Sequence, residues 1–322
     1  MTHTDTSWSK YAFAFYNLEN LFDTENDPQK ADDDFTPDGF KRWNQARLTK
    51  KVRNLGHIIQ QIGAKETGFP PVLVGVAEVE NKLVLQELID SEHLKDKGYQ
   101  FVHYDSKDER GIDTALLYRS TYFKILHSKA HEVFFIDNDG EKDYTRDILE
   151  VKGTIEGQEV YILVNHFPSR RAGEKETAPK RMIVAQKNET IIKHIRQEDP
   201  DAKIIIMGDF NDDPHSASIQ YLMAQGFYNP MELLLTQEDG SLTFKGDWNL
   251  FDQILVSENF LQMHGNPFRF QKATIFGENS VRVFDGPYEG HPFRTYAGPK
   301  YIGGVSDHFP VYSIFKILKQ KF

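Results

Sequence analysis

A short apolar segment ending in Gly208-Asp209-Phe210-Asn211 constrains the fold of this chain more than any other feature. Residues 203–207 are rich in isoleucine, and an apolar run of this length is typical of a buried strand. Because side chains alternate along a strand, Asp209 and Asn211 are predicted to point the same way at its end. Proteins of the α/β type keep their chemistry at the carboxyl edge of a sheet. Taken alone, Asp-x-Asn after a strand is more often a turn.

The same placement recurs elsewhere in the chain. Polar residues stand at the end or the entry of five further apolar segments: Asn17 and Glu19, Glu78, Asn165 and His166, Asp252, and Asp307 with His308. One such placement is expected by chance, but six in one chain are not. The sequence therefore predicts that these side chains meet in one place.

Periodicity predicts three helices and, beside the apolar runs above, three more strands. The helices are expected at residues 42–64, 83–94 and 180–195, and the strands at 113–119, 123–133 and 148–155. Pro179 is expected at the start of the third helix. Strand pairs thus alternate with single helices, which favours two mixed β-sheets packed face to face with helices outside. We predict a single domain over residues 1–322, because the polar strand ends must converge.

Composition narrows the class of protein. The chain of 322 residues has no cysteine, which excludes disulfides, thiolate zinc sites and cysteine nucleophiles. No stretch approaches the ~18–20 apolar residues of a membrane span. The polar residues 1–10 are expected to be flexible and do not resemble a signal peptide. We expect a cytoplasmic enzyme and assume a monomer; export after removal of a signal stays open.

Charge argues against a broad nucleic-acid-binding surface. The net charge is −10, and residues 23–38 hold seven acids and one base. We interpret this segment as a solvated loop; it is not an EF-hand, because Pro28 stands where a calcium loop needs glycine. An acidic chain lacks the electrostatic footprint of a tight nucleic-acid binder. It can still cleave phosphodiesters if metal ions neutralise the site.

The order of the polar motifs resembles that of the endonuclease/exonuclease/phosphatase superfamily: Asn17-x-Glu19, Glu78, Asn165-His166, Gly208-Asp209-Phe210-Asn211, Asp252-x-Ile254 and Ser306-Asp307-His308. These motifs span nearly the whole chain, and the Gly-Asp-Phe-Asn and Ser-Asp-His motifs are specific when they occur together. The resemblance implies a four-layer α/β sandwich. It also implies metal-assisted hydrolysis of a phosphoester by in-line attack of water, with no covalent intermediate.

Oxygen ligands for a metal are available among these residues. Carboxylates suit Mg²⁺ or Mn²⁺, and no organic cofactor is expected. We expect Glu78 to be the first ligand; Glu80 lies on the same strand face, and the resemblance favours Glu78. The resemblance also places Asn17 and Glu19, predicted to share a strand face, near the metal. Asp307 is a candidate second metal ligand.

The resemblance implies catalytic roles for five residues. Asp209 would orient and deprotonate the attacking water, and Asn211 would hold a phosphate oxygen. His308 would lie opposite them, paired with Asp252, and a carboxylate beside an imidazole fixes its tautomer and stabilises its protonated form. Whether Asp209 or His308 is the base stays open at this point. His166 matches a second phosphate-contacting histidine of the family.

Three arginines and one long segment are candidates for substrate contacts. Arg110, Arg170 and Arg171 are predicted to bind phosphate, because guanidinium groups match phosphate oxygens; solvated loop arginines are the equal alternative. Residues 265–304 are rich in glycine, proline and aromatic residues. We predict a loop at the rim of the site, whose aromatics either stack on a substrate ring or pin the loop itself.

The leading hypothesis is a metal-dependent phosphodiesterase that acts as a nuclease on DNA or RNA. The alternative substrate is a smaller phosphoester, such as a lipid headgroup, an inositol phosphate or a nucleotide. The net acidity and Glu80 favour this alternative, since many nucleic-acid-cutting relatives carry a basic residue near that position. A non-catalytic binding protein on the same scaffold is the third hypothesis, against which the full set of acids, amides and imidazoles argues.

Overall fold

Two six-stranded β-sheets form the centre of the computed structural model, which describes residues 7–137, 139–244 and 246–319. The first eight strands are β1 (Trp8–Leu21), β2 (Leu73–Val79), β3 (Tyr99–His103), β4 (Asp113–Arg119), β5 (Phe123–Ile136), β6 (Lys142–Ile155), β7 (Gln158–His166) and β8 (Ile204–Asp209). The others are β9 (Phe227–Tyr228), β10 (Leu242–Phe244), β11 (Asp247–Asn249), β12 (Asp252–Ser257), β13 (Phe268–Ile275), β14 (Tyr296–Ala297), β15 (Lys300–Tyr301) and β16 (Val311–Leu318). The helices are α1 (Gln45–Ile59), α2 (Ala64–Thr67), α3 (Lys82–Ile89), α4 (Glu174–Glu198) and α5 (Ala217–Met223).

Each large sheet is mixed, with a single parallel pair near its centre. The strand order is β13-β16-β1-β2-β4-β3 in the first sheet and β5-β6-β7-β8-β12-β9 in the second. The parallel pairs are β1 with β2 and β7 with β8. The carboxyl ends of a parallel pair lie at one edge of its sheet. The two edges lie next to each other, as a hydrogen bond from Asn17 of β1 to Asp209 of β8 shows.

Three apolar clusters hold the layers together, as the prediction of a four-layer α/β sandwich requires. Side chains such as Phe15 and Met207 fill the space between the sheets. Helices α1 and α3 cover the outer face of the first sheet, and α4 and α5 cover that of the second. At Gly75 the sheets approach so closely that a Cβ atom would lie 2.6 Å from Met207 Sδ. A side chain there would have to displace the end of Met207, which packs in this position.

The predicted helices form, but their ends differ from the prediction. Helix α1 starts after Asn44, whose side chain accepts a hydrogen bond from the Arg47 amide at 3.2 Å. Helix α4 starts at Glu174, so the prediction that Pro179 begins it was wrong, and the proline lies inside the helix. The added turns are held by Thr177, whose hydroxyl donates to the Gly173 carbonyl at 2.6 Å.

Two boundary predictions were also wrong. Residues 8–10 are not flexible, because they pair with residues 316–318 in the first sheet; residues 1–6 lie outside the described part of the chain. Residues 265–304 are not one loop, because 268–275 form the edge strand β13, which pairs with β16. Of the aromatic residues of β13, Phe268 is fully buried in the core and Phe270 packs against it partly buried.

The acidic segment 23–38 is partly packed rather than fully solvated. Asp32 is 1% exposed, and its carboxylate accepts a hydrogen bond from the Asp27 amide at 3.0 Å. Lys30 donates to the carbonyls of Ser106 and Asp108, each at 3.2 Å. The segment therefore lies against the β3–β4 connection. None of the helices in the described ranges has the length and apolar character to cross a lipid bilayer.

Candidate active site

Asp209 occupies the centre of the polar edge shared by the two sheets. It is the last residue of β8 and lies directly opposite His166 on β7 and Asp252 on β12 in the strand register. Residues opposite each other on adjacent strands point to the same face. The preceding Gly208 is required by this packing, because a Cβ atom there would lie 2.4 Å from the Asn165 carbonyl oxygen. The register therefore places two carboxylates and an imidazole side by side.

Hydrogen bonds fix the Asp209 carboxylate. One oxygen, Oδ2, accepts from Asn17 Nδ2 at 3.0 Å, and the other, Oδ1, accepts from the Asn211 amide at 2.9 Å. Asp209 is only 2% exposed. Burial raises the pKa of Asp209 to about 7; positive charge on His308 opposes this and the Asp252 carboxylate adds to it. Near neutral pH, Asp209 can therefore both hold and release a proton.

The backbone at the site departs from regular strand geometry. Left-handed φ angles occur at Glu19 (50°), Asn20 (53°), Glu78 (60°) and Asn211 (49°). A non-glycine residue in this region costs about 1–3 kcal/mol and persists where the surrounding structure enforces it. Such strain concentrates at functional positions, which agrees with the location of these four residues.

This geometry corrects two predictions that rested on strand alternation. Strand β8 ends at Asp209, so Asn211 is placed by a turn, and its Nδ2 donates to the Phe167 carbonyl at 3.0 Å. Asn17 and Glu19 do not share a target either. While Asn17 contacts Asp209, Glu19 Oε2 accepts from the Thr295 amide at 2.6 Å. The left-handed residues Glu19 and Asn20, near the end of β1, break the alternation of side chains there.

His308 and Asp252 form a buried pair. His308 Nδ1 lies 2.6 Å from Asp252 Oδ2, and both residues are buried. Burial by itself would lower the pKa of His308, but the charge of Asp252 and the hydrogen bond to it outweigh burial and hold that pKa well above its usual value. This raised pKa favours the protonated form of His308 at neutral pH. Its ligand atom lies within 4.8 Å of those of Asp209 and Asp252.

His166, in contrast to His308, is favoured in its neutral form. Its Nε2 lies 3.7 Å from Asp209 Oδ2 and 3.9 Å from Glu78 Oε1. Burial, followed by the positive charges of Arg146, Arg110 and His308, lowers the pKa of His166 well below its usual value. A neutral His166 can donate one hydrogen bond without adding a positive charge.

Carboxylates close to His166, Asp209 and His308 offer oxygen ligands of the kind that hard cations bind. Glu78 accepts a hydrogen bond from the Asn20 amide through Oε2 at 2.8 Å, while Glu80 turns away and accepts from the Asp23 amide at 2.6 Å. Burial, and then the negative charge of Asp307, raises the pKa of Glu19 to about 7. Carboxylate oxygens such as these, and the side-chain oxygen of Asn17, are of the type that divalent cations take as ligands.

Three side chains at the site also lie close enough together to hold a cation. They are Asp209, Asp252 and His308. His308 Nδ1 bonds to Asp252, and the raised pKa of His308 favours its protonated form, which competes with binding of a metal ion. We therefore assign this group to proton transfer and charge stabilisation. Glu78 lies beside this group, with Oε1 3.9 Å from His166 Nε2, and offers a further carboxylate.

The three arginines predicted to bind phosphate occupy different environments. Arg110 donates to Asn20 Oδ1 at 2.9 Å and lies 3.8 Å from Glu78 Oε1, while Arg171 is exposed. The prediction for Arg170 needs correction. Its guanidinium is buried, donates to the Asn211 carbonyl at 2.7 Å and pairs with Asp212 at 3.1 Å. Arg170 therefore supports the turn after β8 instead of facing a substrate.

A cleft of about 490 Å³ opens beside these residues. Its charged lining residues are five bases and three acids: Lys41, Lys51, Arg110, Arg171, Arg294, Glu19, Asp34 and Asp307. Aromatic residues also line it, among them Trp43 and the exposed Phe40. A larger depression of about 630 Å³ between α1 and α3 contains none of the predicted site residues.

Several residues at the cleft were missed by sequence reasoning. Lys51 is buried on α1, where its Nζ donates to the Glu19 carbonyl and, at 2.8 Å, to Thr295 Oγ1. Its position on the apolar face of a helix gave the only available signal. Arg294 lies in the segment 265–304 that was predicted to form the rim. Asn20 directly follows the Asn17-x-Glu19 motif, and no role was predicted for it.

Comparison with known proteins agrees with this geometry. The sequence profile of the Endonuclease/Exonuclease/phosphatase family matches residues 12–317. The chain belongs to this family. The match covers the motifs from Asn17 to His308, so the family resemblance drawn from them is confirmed. No curated protein matches the chain significantly.

Solved structures of the family share the fold at low sequence identity. An endonuclease/exonuclease/phosphatase family protein from Bacteroides thetaiotaomicron has a TM-score of 0.59 and 17% identity, over 97% of this chain and 99% of its own. D. rerio TDP2, in a complex with single strand DNA product, has a TM-score of 0.57 and 18% identity, over 95% and 99%. A mannosyl-6-phosphatase from B. thetaiotaomicron has a TM-score of 0.55 and 17% identity, over 94% and 98%.

Proposed function

We propose that this protein hydrolyses phosphoester bonds by direct attack of water, assisted by a divalent cation. The observation that carries the proposal is the position of Asp209, buried between a neutral His166 and the His308–Asp252 pair. Proton transfer near neutral pH requires one group that accepts a proton and another that holds one, and their pKa values must therefore differ. Membership of a hydrolase family supports the same reaction class.

Asp209 acts as the base in this proposal. It takes one proton from water as the oxygen of that water forms a bond to phosphorus, and the bond from phosphorus to the leaving oxygen breaks on the opposite side. A pKa of about 7 suits this transfer. His308 is a poor base because it already carries a proton, and its positive charge instead stabilises the negative charge that develops on the phosphate oxygens.

The remaining side chains orient the phosphate. His166 and Asn211 each have an N–H group that can donate to a phosphate oxygen, and Arg110 supplies a guanidinium at the cleft wall. Glu78 and Asn17 would hold Mg²⁺ or Mn²⁺. When bound, the cation supplies Lewis-acid stabilisation of a phosphate oxygen and of the leaving group.

We propose a strand of DNA or RNA as the leading substrate. The cleft concentrates basic side chains in a chain of net charge −10, and Lys41, Arg171 and Arg294 can follow a phosphate backbone. Phe40 is 65% exposed at the mouth of the cleft and can stack on a base. Among the solved structures of similar fold, TDP2 was determined with single strand DNA product.

A small phosphoester is the second candidate, and the size of the cleft favours it. A volume of about 490 Å³ holds one compact phosphorylated group, and Asp34 and Asp307 limit the extent of positive potential along its wall. A mannosyl-6-phosphatase has a similar fold. Hydrolysis of a monoester in the same site would need no change in the proposed roles.

The test is hydrolysis of bis-para-nitrophenyl phosphate with Mg²⁺, with Mn²⁺ and after chelation. We expect activity only with a divalent cation and its loss in Asp209→Ala and His308→Ala. Activity that survives chelation and both substitutions would contradict the mechanism. Cleavage of a single-stranded oligonucleotide, compared with phosphate release from sugar phosphates and nucleotides, separates the two substrate classes.

A further inference from the structure

A second group of metal-binding side chains lies outside the catalytic site, at the base of the connection between β3 and β4. His103 ends β3, Asp105 follows it, and Asp113 begins β4. One ligand atom from each of the three lies within 4.8 Å of the others. His103 Nε2 is 3.5 Å from Asp113 Oδ2, and Nδ1 is 3.9 Å from Asp105 Oδ1.

The state of His103 is the observation that points to a ligand. Its side chain is 0% exposed, and within the described residues neither ring nitrogen has a hydrogen-bond partner. Buried polar groups without partners are rare in native proteins. Oδ1 of Asp147 is also buried without a hydrogen-bond partner among the described residues. The site thus combines an unused imidazole with surplus negative charge.

We propose that His103, Asp105 and Asp113 bind one Zn²⁺ or a chemically similar first-row divalent cation. One imidazole nitrogen and two carboxylate oxygens are ligands that such cations accept, whereas Mg²⁺ favours oxygen ligands and water. The Asp105 side chain is 68% exposed, so water has access to the remaining coordination positions. The group shares no residue with the catalytic site.

Binding at this position would tie together the two ends of residues 104–112. Asp113 Oδ1 already accepts a hydrogen bond from the Ser106 amide at 3.1 Å within this connection. Further along, Arg110 reaches the catalytic site, where it donates to Asn20 at 2.9 Å. The cation would thereby hold Arg110 in place. This consequence rests on the proposed function, whereas binding of the cation does not.

The test titrates metal-free full-length protein with Zn²⁺ by calorimetry and with Co²⁺ by visible absorption. Glu78→Gln is included in all samples to weaken the catalytic cation site. We expect one high-affinity Zn²⁺ that binds at least about tenfold more weakly in Asp105→Asn. The ligand-field bands of bound Co²⁺ are expected to be lost in His103→Asn. Asp96→Asn, which changes an exposed carboxylate before the start of β3, the opposite end of that strand from His103, is the matched control.

Unchanged Zn²⁺ binding in Asp105→Asn, or the same loss in the Asp96→Asn control, would overturn the proposal. Asp105 is exposed, so this variant is expected to fold, and it decides the question even if His103→Asn does not. In protein with native Glu78, Zn²⁺ is expected to lower KM for bis-para-nitrophenyl phosphate, and Asp105→Asn to remove that effect. Intact Zn²⁺ binding in a protein without hydrolase activity contradicts the proposed function alone.

Discussion

Asp252 accepts a hydrogen bond from His308 at 2.6 Å while it stands directly opposite Asp209 in the β8–β12 register. Its other oxygen is buried without a hydrogen-bond partner among the described residues. One carboxylate thus acts on two neighbours: its charge raises the pKa of His308 and also that of Asp209. Changing Asp252 is therefore the most direct way to test how charge is distributed in the site.

Asp252→Asn is expected to narrow the pH range of activity from the alkaline side. His308 must be protonated, and in the native protein Asp252 keeps its pKa well above the usual value against the effect of burial. Without that negative charge burial dominates, the pKa falls, and His308 loses its proton at a lower pH. The measurement is kcat/KM against pH. An alkaline limit that stays in place would show that His308 does not act as a cation.

Asp209→Asn is expected to reduce kcat by about 10²–10⁴-fold, the usual contribution of a positioned base. The variant should be at least as stable as the native protein at pH 8, because burial penalises the ionised carboxylate and raises its pKa to about 7. Steady-state kinetics and thermal melting check both parts. Asp96→Asn, at an exposed position, should leave activity and melting unchanged. A large loss of stability in Asp209→Asn would assign this residue a structural role.

Removal of divalent cations is expected to abolish hydrolysis, and added Mg²⁺ or Mn²⁺ to restore it. Glu78→Gln should raise the concentration of Mg²⁺ needed for half-maximal rate, because it removes one charged ligand oxygen while preserving the hydrogen bond from Asn20. The comparison is a Mg²⁺ titration of the rate in both proteins. Identical titration curves would exclude Glu78 from the cation site.

Arg110→Ala and Arg170→Ala are expected to have different consequences. Arg110 lines the cleft, so its loss should raise KM with little change in melting temperature. Arg170 is buried against Asp212, and removing one partner of a buried ion pair costs about 3–5 kcal/mol. Kinetics together with chemical unfolding distinguish the two. A raised KM in folded, fully stable Arg170→Ala would restore its predicted role in substrate binding.

Lys203→Met is expected to stabilise the protein at pH 7. Burial lowers the pKa of Lys203 to about 8 from 10.5, so the folded protein binds fewer protons than the unfolded chain between these values, and native stability rises with pH across that window. The variant lacks this rise. Its advantage, roughly 1 kcal/mol after solvent screening, should be present below pH 8 and shrink towards pH 10.5. Urea unfolding at several pH values measures it.

The fold could be predicted because its signals are local and repeated. Apolar runs gave the central strands, and β4 was predicted with both of its ends correct, at Asp113 and Arg119. The start of α4 was not predicted correctly, because proline is typical of the first turn of a helix and Pro179 lies inside this one. The helix begins earlier, where the Thr177 hydroxyl bonds to the Gly173 carbonyl, a contact that depends on three-dimensional placement. Edge strand β13 was hidden in a segment with many glycines and prolines.

The sequence predicted which residues meet at the site but not the geometry in which they meet. The motifs identified the groups that meet, such as His308 with Asp252. They did not reveal the left-handed backbone at Glu19 and Asn211, because a strand pattern carries no information on where the alternation breaks. Burial decided the role of Arg170, and a loop arginine gives no sequence signal for that.

The register that aligns Asp209 with its two neighbours also separates reactivity from selectivity. The reacting groups stand mainly on strand ends or next to them, whereas much of the cleft wall comes from the connections 31–43, 106–111 and 294–298. Loops tolerate exchange far better than paired strands. Transplanting these three connections between relatives should therefore retarget the protein to a different phosphate ester without rebuilding its reaction centre.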